Sequence, residues 1–466
     1  MKTYILKTNY KQILADTITP VSVYLKIRDK FPNSILLESS DYHANDNSFS
    51  YICFNPIASI KIENERIIKE FPDSTIEEIT ITRQTNVAVE IQQFESQFES
   101  NATDFKFITN GLFGYINYDA VRYFEKTIID KKRNYSETPD LFYAVYQNII
   151  AINHFKNEAY IFCHSIENKD NTDEIKQLLQ AKNFASYSFK KEGEKTSNIS
   201  DSEFKSNVTL AKSHCHVGNV FQLVLSKRFS QKFKGDEFNV YRALRSINPS
   251  PYLFFFDYGN FKLFGSSPEA QLVIKDRIAE IHPIAGTFKR TGNDEQDALL
   301  AKQLSEDSKE NSEHVMLVDL ARNDLSRNGN KVTVEKYREV QFFSHVIHLV
   351  SKVTSQMFPT ANSMQVVADT FPAGTLTGAP KHKALELINQ IETTNRGFYG
   401  GAIGFMDFKG NFNHAIMIRT FLSKNHTLHY QAGAGIVENS SEENELKEIY
   451  NKLGALDKAL EIAENI

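Results

Sequence analysis

The segment Leu141 to Cys163, LFYAVYQNIIAINHFKNEAYIFC, leaves few folds open to the chain that contains it. Two runs rich in aromatic and β-branched residues flank a polar Lys156-Asn157 turn, the pattern of a β-hairpin. The pattern recurs. Tyr252 to Asp257 and Lys262 to Ser266 flank Gly259-Asn260, and Tyr399 to Phe408 and Asn413 to Leu422 flank Lys409-Gly410-Asn411. Further strand-like runs are Ser34 to Ser40, Ser48 to Phe54, Ala58 to Ile62, Gly111 to Tyr118, Val220 to Phe229 and Thr427 to Val437. Hairpins instead of strand–helix–strand units predict antiparallel α+β, not a doubly wound parallel sheet. Helices are expected at Val21 to Lys30, Ile91 to Ser100, Asp201 to His216 (capped by Ser200 or Asp201), Glu237 to Ile247 and Lys381 to Ile391. A last helix carries Leu446, Ile449, Tyr450, Leu453, Leu456 and Leu460 as an apolar stripe. The polar stretch KKEGEKTSNISDSE reads as a linker. It divides an N-terminal portion, 1–190, from a C-terminal portion, 200–466, the two intertwined in one large unit.

A net charge of −5 with both signs interspersed offers no basic field for a nucleic-acid backbone. No apolar run approaches the ~18 residues of a membrane span, and MKTYILKTNYKQ lacks a signal-peptide core. Cys53, Cys163 and Cys215 are widely spaced, without a CxxC pair. The expectation is a soluble cytoplasmic protein that binds neither nucleic acid nor membrane.

The chemistry concentrates in acidic pairs. Glu310 and Glu313 stand at i, i+3 in a helical stretch from Ala301 to Leu325, so both carboxylates project to one side. Glu445 and Glu448 repeat the spacing on the flank of the last helix's apolar stripe. Either pair can be a solvated face. Together they can approach one hard divalent cation, and oxygen-only ligands favour Mg²⁺ over zinc. Phe371 to His382, FPAGTLTGAPKH, is a glycine- and proline-rich turn into a helix, either plain structure or a cradle of amides for an anion. Arg419 lies in the apolar strand AIMIRTFL, where it needs a carboxylate, from a ligand or from the protein. Gln431 to Gly435 ends a strand in small residues that let a ligand near the backbone. His345 and His348 sit among apolar residues, as core groups or as acid–base groups.

Motifs spread over residues 20–460 resemble the chorismate-utilising enzyme family, and within it component I of anthranilate synthases. They include FQLVLS (from Phe221), FGSSPE (from Phe264), PIAGT (from Pro283), ENSEH (from Glu310) and MLVDLARND (from Met316), then GTLTGAP (from Gly374), RGFYGG (from Arg396), Ile418-Arg419 and QAGAG (from Gln431). Two positions separate the subfamilies. Relatives that make aminodeoxychorismate carry a lysine nucleophile where this chain has Ala285. Isochorismate and salicylate synthases carry a water-activating lysine where it has Gln222. Alanine forms no covalent adduct and glutamine is no base at neutral pH, whereas ammonia needs neither.

The resemblance implies large antiparallel β-sheets packed as a sandwich with helices outside. It implies Mg²⁺ held by Glu313 and Glu448, with Glu310 and Glu445 completing the cage, against the ring carboxylate of chorismate. Tyr399, Arg419 and the amides of Gly433, Ala434 and Gly435 would hold the enolpyruvyl carboxylate. Glu269 would protonate the departing hydroxyl beside Thr375, and His348 would assist removal of the ring proton. The N-terminal portion resembles a regulatory part in which Glu38, Ser39, Pro251, Tyr252, Leu253, Ile403 and Phe405 would line a tryptophan pocket. No Gly-x-Cys-x-Gly turn of a glutaminase is present, so a glutamine amidotransferase subunit is the expected partner. The alternatives are an aminodeoxychorismate synthase working without its lysine, or a non-catalytic regulatory subunit of the same fold.

Overall fold

In a computed structural model, which describes residues 2–39, 48–101, 105–125, 138–342 and 346–466, two long strands organise the chain. Phe49–Glu63 and Leu141–Asn153 pair antiparallel along their whole length, from Phe49 opposite Asn153 to Ile62 opposite Leu141. The register shifts between Pro56 and Ala58, next to Asn55 at φ +57°. Such a bulge bends a strand and re-aims the residues beyond it. Before it, Tyr51 to Cys53 pair with Ile35–Glu38; after it, Ser59 to Glu63 pair with Arg66–Glu70. The partner strand divides likewise, its two ends pairing with Glu158–Ser165 and Gly111–Ile116. The two strands therefore pass from one sheet into another.

The first sheet continues from Ile35–Glu38 through Tyr252–Asp257, Phe261–Ser267, Thr420–Lys424, Thr427–Ile436 and Gln222–Gly235 to Phe189–Ser197. The second runs from Gly111–Ile116 through Ala402–Asp407, Phe412–Ile416, Ala270–Lys275 and Ile278–Ile281 to Val346–Met357, which also pairs with Ile284–Lys289 and Gly329–Phe342. Among the described residues, pairing is antiparallel except between Tyr4–Leu14 and Phe98–Ser100. Strand alternation sorts the core. Phe254 and Phe256 meet Phe113, Tyr115 and Ile403 between the sheets, while Phe255 packs outward against Tyr24 and Phe238 under the helices. The result is the α+β sandwich with helices outside.

Three expectations are corrected. The polar stretch expected to be a linker lies largely in the edge strand Phe189–Ser197, whose pairing with Gln222–Gly235 is interrupted between Glu192 and Thr196. One side of this strand meets water, so its composition resembles a loop. The acidic stretch forms two helices, Asp294–Glu306 and Ser308–Ser326, broken at Asp307, whose carboxylate accepts the Glu310 amide at 3.0 Å. The helix expected from Ile91 to Ser100 is Val87–Glu95, followed by the strand Phe98–Ser100. N-terminal and C-terminal strands are neighbours in both sheets, so no seam runs between the portions.

Candidate active site

The strand Thr427–Ile436 closes on Gly433 to Gly435, and one glutamate of each acidic pair reaches this end. Gln222 Nε2 donates to Glu313 Oε1 at 3.0 Å, and a Cβ added at Gly435 would lie 2.6 Å from that amide nitrogen. From the last helix, Glu442–Ala463, Lys452 Nζ pairs with Glu448 Oε1 at 2.6 Å and donates to the Gly433 carbonyl at 2.9 Å. A Cβ at Gly433 would lie 2.7 Å from the Tyr399 hydroxyl. Glycines let the neighbouring groups close on the backbone here. Glu313 and Glu448 thus approach the segment Gly433 to Gly435 from two helices, each through one intermediary side chain. Glu310 packs against Gly286, and Glu445 is buried on the last helix. Among the described residues, no three Asp, Glu, His or Cys side chains already converge as a metal cluster.

Gly286 links the acidic helix to His348. Its φ of +71° belongs to the left-handed region, and an added Cβ there would lie 3.1 Å from Glu310 Oε2. Its carbonyl oxygen is 2.9 Å from His348 Nδ1. A carbonyl only accepts, so the proton sits on Nδ1 and Nε2 is the ring's basic nitrogen. Burial, and secondarily Arg419, lower the His348 pKa against the Gly286 bond, so the ring is neutral near pH 7. His348 lies in the strand Val346–Met357; His345 lies outside the described residues.

Arg419, expected within one apolar strand, lies instead in the break between Phe412–Ile416 and Thr420–Lys424, where its φ of +49° turns the chain, and it is largely enclosed. Among the described residues it has no carboxylate partner; Nη1 donates to Asn248 Oδ1 at 3.1 Å. Desolvation lowers its pKa. A buried guanidinium with one neutral partner is a receptor for an anion. Tyr399, its own pKa raised by burial, lies under Arg396, whose guanidinium is 5.9 Å from its ring. Arg396 is anchored by Glu392 and by the carbonyls of Leu376 and Val224.

Glu269 follows the strand Phe261–Ser267 and accepts a hydrogen bond from Thr375 at 3.1 Å, in the short turn Gly374–Leu376. Burial pushes its carboxyl up to about 8, against the Thr375 bond and the charge of Lys452. Glu269 is therefore a protonated acid at neutral pH. The glycine-rich turn docks into the sheet: Gly378 and Ala379 pair with Leu223 and Gln222.

The regulatory candidates divide between two faces. Ile403 and Phe405 belong to the aromatic layer between the sheets, with Tyr252 packed against it. Leu253 faces the helices, and the paired residue Glu38 is taken up by Tyr241 at 2.5 Å and by a two-nitrogen contact from Arg245 at 2.8 Å. Ser39 and Pro251 are half-buried at the strand ends. Ser40 lies outside the described residues.

Sequence reasoning missed Lys452, Asn248 and Arg396. Lys452 stands four residues after Glu448, a spacing that signals an ion pair. Asn248 sits in a turn and Arg396 in a family motif, and neither gave a chemical signal of its own.

These features define an enzyme site with an anion receptor, an acid, a neutral imidazole and paired carboxylates. The chain belongs to the chorismate binding enzyme family, whose pattern matches residues 33–458. Relatives include anthranilate synthase component 1 of Aquifex aeolicus, 36% identical over 98% of this chain and 94% of that protein. That of Lactococcus lactis is 36% identical over 96% and 98%. The crystal structure of anthranilate synthase component I from Streptococcus pneumoniae TIGR4 superposes with a TM-score of 0.75, at 30% identity over 96% of this chain and 99% of that one. The menaquinone-specific isochorismate synthase of Escherichia coli shares the fold, with a TM-score of 0.74 at 17% identity over 98% of this chain and 95% of that one.

Proposed function

We propose that the chain is the large subunit of an anthranilate synthase, converting chorismate and ammonia to anthranilate and pyruvate, the first committed step of tryptophan biosynthesis, in the cytoplasm. The observation that carries this reading is the Glu269–Thr375 pair, its carboxyl enclosed, in a site where Ala285 and Gln222 stand in place of the lysines of the sister subfamilies. Such a site supplies an acid to a leaving group but no nucleophile or lysine base, as ammonia addition requires.

Arg419 and the Gly433 to Gly435 amides bind the enolpyruvyl carboxylate, with Tyr399 alongside. Burial of Arg419 strengthens that charge-assisted contact. Glu269 gives its proton to the ring hydroxyl, which departs as water while ammonia adds to the ring. His348, neutral and basic at Nε2, then takes the ring proton as pyruvate is eliminated. Thr375 orients Glu269 throughout.

The acidic pairs fit a hard cation in donor chemistry. Among the described residues, Glu313 and Glu448 each receive a nitrogen donor on only one carboxylate oxygen. Glu313 and Glu448, supported by Glu310 and Glu445, would hold Mg²⁺ against the ring carboxylate. When bound, the ion neutralises that carboxylate and polarises the ring. A glutamine amidotransferase subunit supplies the ammonia. Residues 1–190 form a regulatory portion for tryptophan and 200–466 the catalytic one. Tryptophan would bind between the sheets at Ser39, Pro251, Tyr252, Ile403 and Phe405, while Glu38 and Leu253 shape the site through their strand pair.

Purified protein given chorismate, Mg²⁺ and ammonium should develop anthranilate fluorescence. Untouched chorismate would overturn the enzyme reading, and accumulation of aminodeoxychorismate the subfamily. Rates unchanged by millimolar tryptophan would remove the feedback pocket.

A further inference from the structure

A recess of about 30 Å³ lies beside the Glu269–Thr375 pair, walled also by Gln271, Asp324 and Thr370. Neither Tyr399, Arg419 nor Gly433 to Gly435 lines it, so it is separate from the substrate-carboxylate site. Gln271 is 3% exposed. Its Nε2 donates to Thr370 Oγ1 at 3.2 Å, and that hydroxyl donates onward to the Val367 carbonyl at 3.2 Å. These bonds fix the amide's orientation and leave Oε1 as a buried acceptor with no partner among the described residues. Lys381 Nζ secures Asp324 Oδ2 at 2.6 Å and the Thr370 carbonyl at 2.9 Å. The charged groups around Glu269 are thus Lys452 on the last helix and Asp324, held by Lys381, across the recess.

The recess has apolar walls from Ile281, Pro283, Leu317 and Leu320, and a buried acceptor left over on its polar side calls for a small donor. Protonated Glu269 presents a donor and Gln271 Oε1 an acceptor, and water has both functions and the right size. We infer that the recess holds one or two water molecules, one of them bound by Gln271 Oε1, through which Glu269 regains its proton after each turnover. The inference rests on the role of Glu269 proposed above. In each transfer an O–H bond of water breaks as one forms on the Glu269 carboxylate, and a proton from solvent restores the water. Gln271 is on this account a positioning residue, acting through water.

Three variants and a crystal structure test it. Gln271→Met removes the acceptor at nearly constant volume. It should lower kcat about tenfold, within the range for impaired acid catalysis. The KM for chorismate should stay put and the solvent deuterium isotope effect on kcat should rise. Gln271→Glu keeps an acceptor and should restore most of the rate. Thr370→Val frees the amide to turn and should lose part of the rate. If Gln271→Glu fails to restore the rate, the role is merely structural and the relay is wrong. High-resolution crystals should show a water within hydrogen-bonding distance of Oε1 in the wild type and none in Gln271→Met. A dry wild-type recess overturns the inference even if anthranilate is made. Wild-type protein that makes no anthranilate overturns the proposed function, and the crystal still decides the water site.

Discussion

Replacing Glu269 by glutamine separates two consequences of burying that carboxyl. An ordinary 4.5 raised to about 8 amounts, at about 1.4 kcal/mol per pH unit, to a ceiling of roughly 5 kcal/mol against the ionised form. The unfolded chain loses this proton above about pH 4.5, while the folded chain keeps it to about pH 8. Between those values the unfolded state binds fewer protons, so the wild type loses stability as pH rises. Glutamine has no proton to lose. The variant should therefore match the wild type near pH 4.5, gain on it through pH 8, and hold a constant lead above. Urea unfolding at a series of pH values measures this directly. Activity should move the other way. Losing the acid should cost about 10²–10⁴ in kcat, and wild-type kcat at constant free ammonia should fall as pH passes 8. A stability difference that stays flat from pH 5 to 8 would refute the burial argument. A wild-type rate indifferent to pH above 8 would refute the acid role.

Arg419→Gln should raise the KM for chorismate roughly 30-fold, about 2 kcal/mol for a charged hydrogen bond. Its unfolding midpoint should be unchanged or higher, because an enclosed charge without a carboxylate partner is gone; a normal KM would place the substrate elsewhere. Glu448→Gln should abolish Mg²⁺-dependent turnover with the circular dichroism spectrum intact, and full activity would remove this residue from the metal site. Gly435→Ala brings a methyl to 2.6 Å from Gln222 Nε2, which must leave Glu313. The apparent affinity for Mg²⁺ in the activity assay should change more than stability, and an unchanged Mg²⁺ titration would show that the Gln222–Glu313 contact is idle.

Much of the fold was legible because strands and hairpins write themselves locally. The runs around Gly259-Asn260 and Lys156-Asn157 alternate and turn as the sequence predicts, and Ser200 with Glu203 forms the capping box that starts Asp201–His216. Edge strands were harder. Phe189–Ser197 needs only one paired neighbour and shows water the rest, so nothing apolar marks it. The break at Asp307 was hidden because a capping aspartate in an acidic stretch looks like another surface charge.

By itself, the sequence determined the hairpin-rich α+β class, the two acidic pairs at helical spacing, the lone arginine in an apolar run and the motifs that carry the family. Those properties depend on residue type and short-range period. Only the tertiary structure decided that Arg419 has an amide and, among the described residues, no carboxylate for company, and that Glu269 is buried enough to stay protonated. It also decided that Gln222 and Lys452 join two distant helices to Gly433 and Gly435, and that Glu38 turns toward Arg245. Partnership and desolvation depend on which groups from distant parts of the chain exclude water together. Local spacing carries no information about that until the sheets and helices have packed.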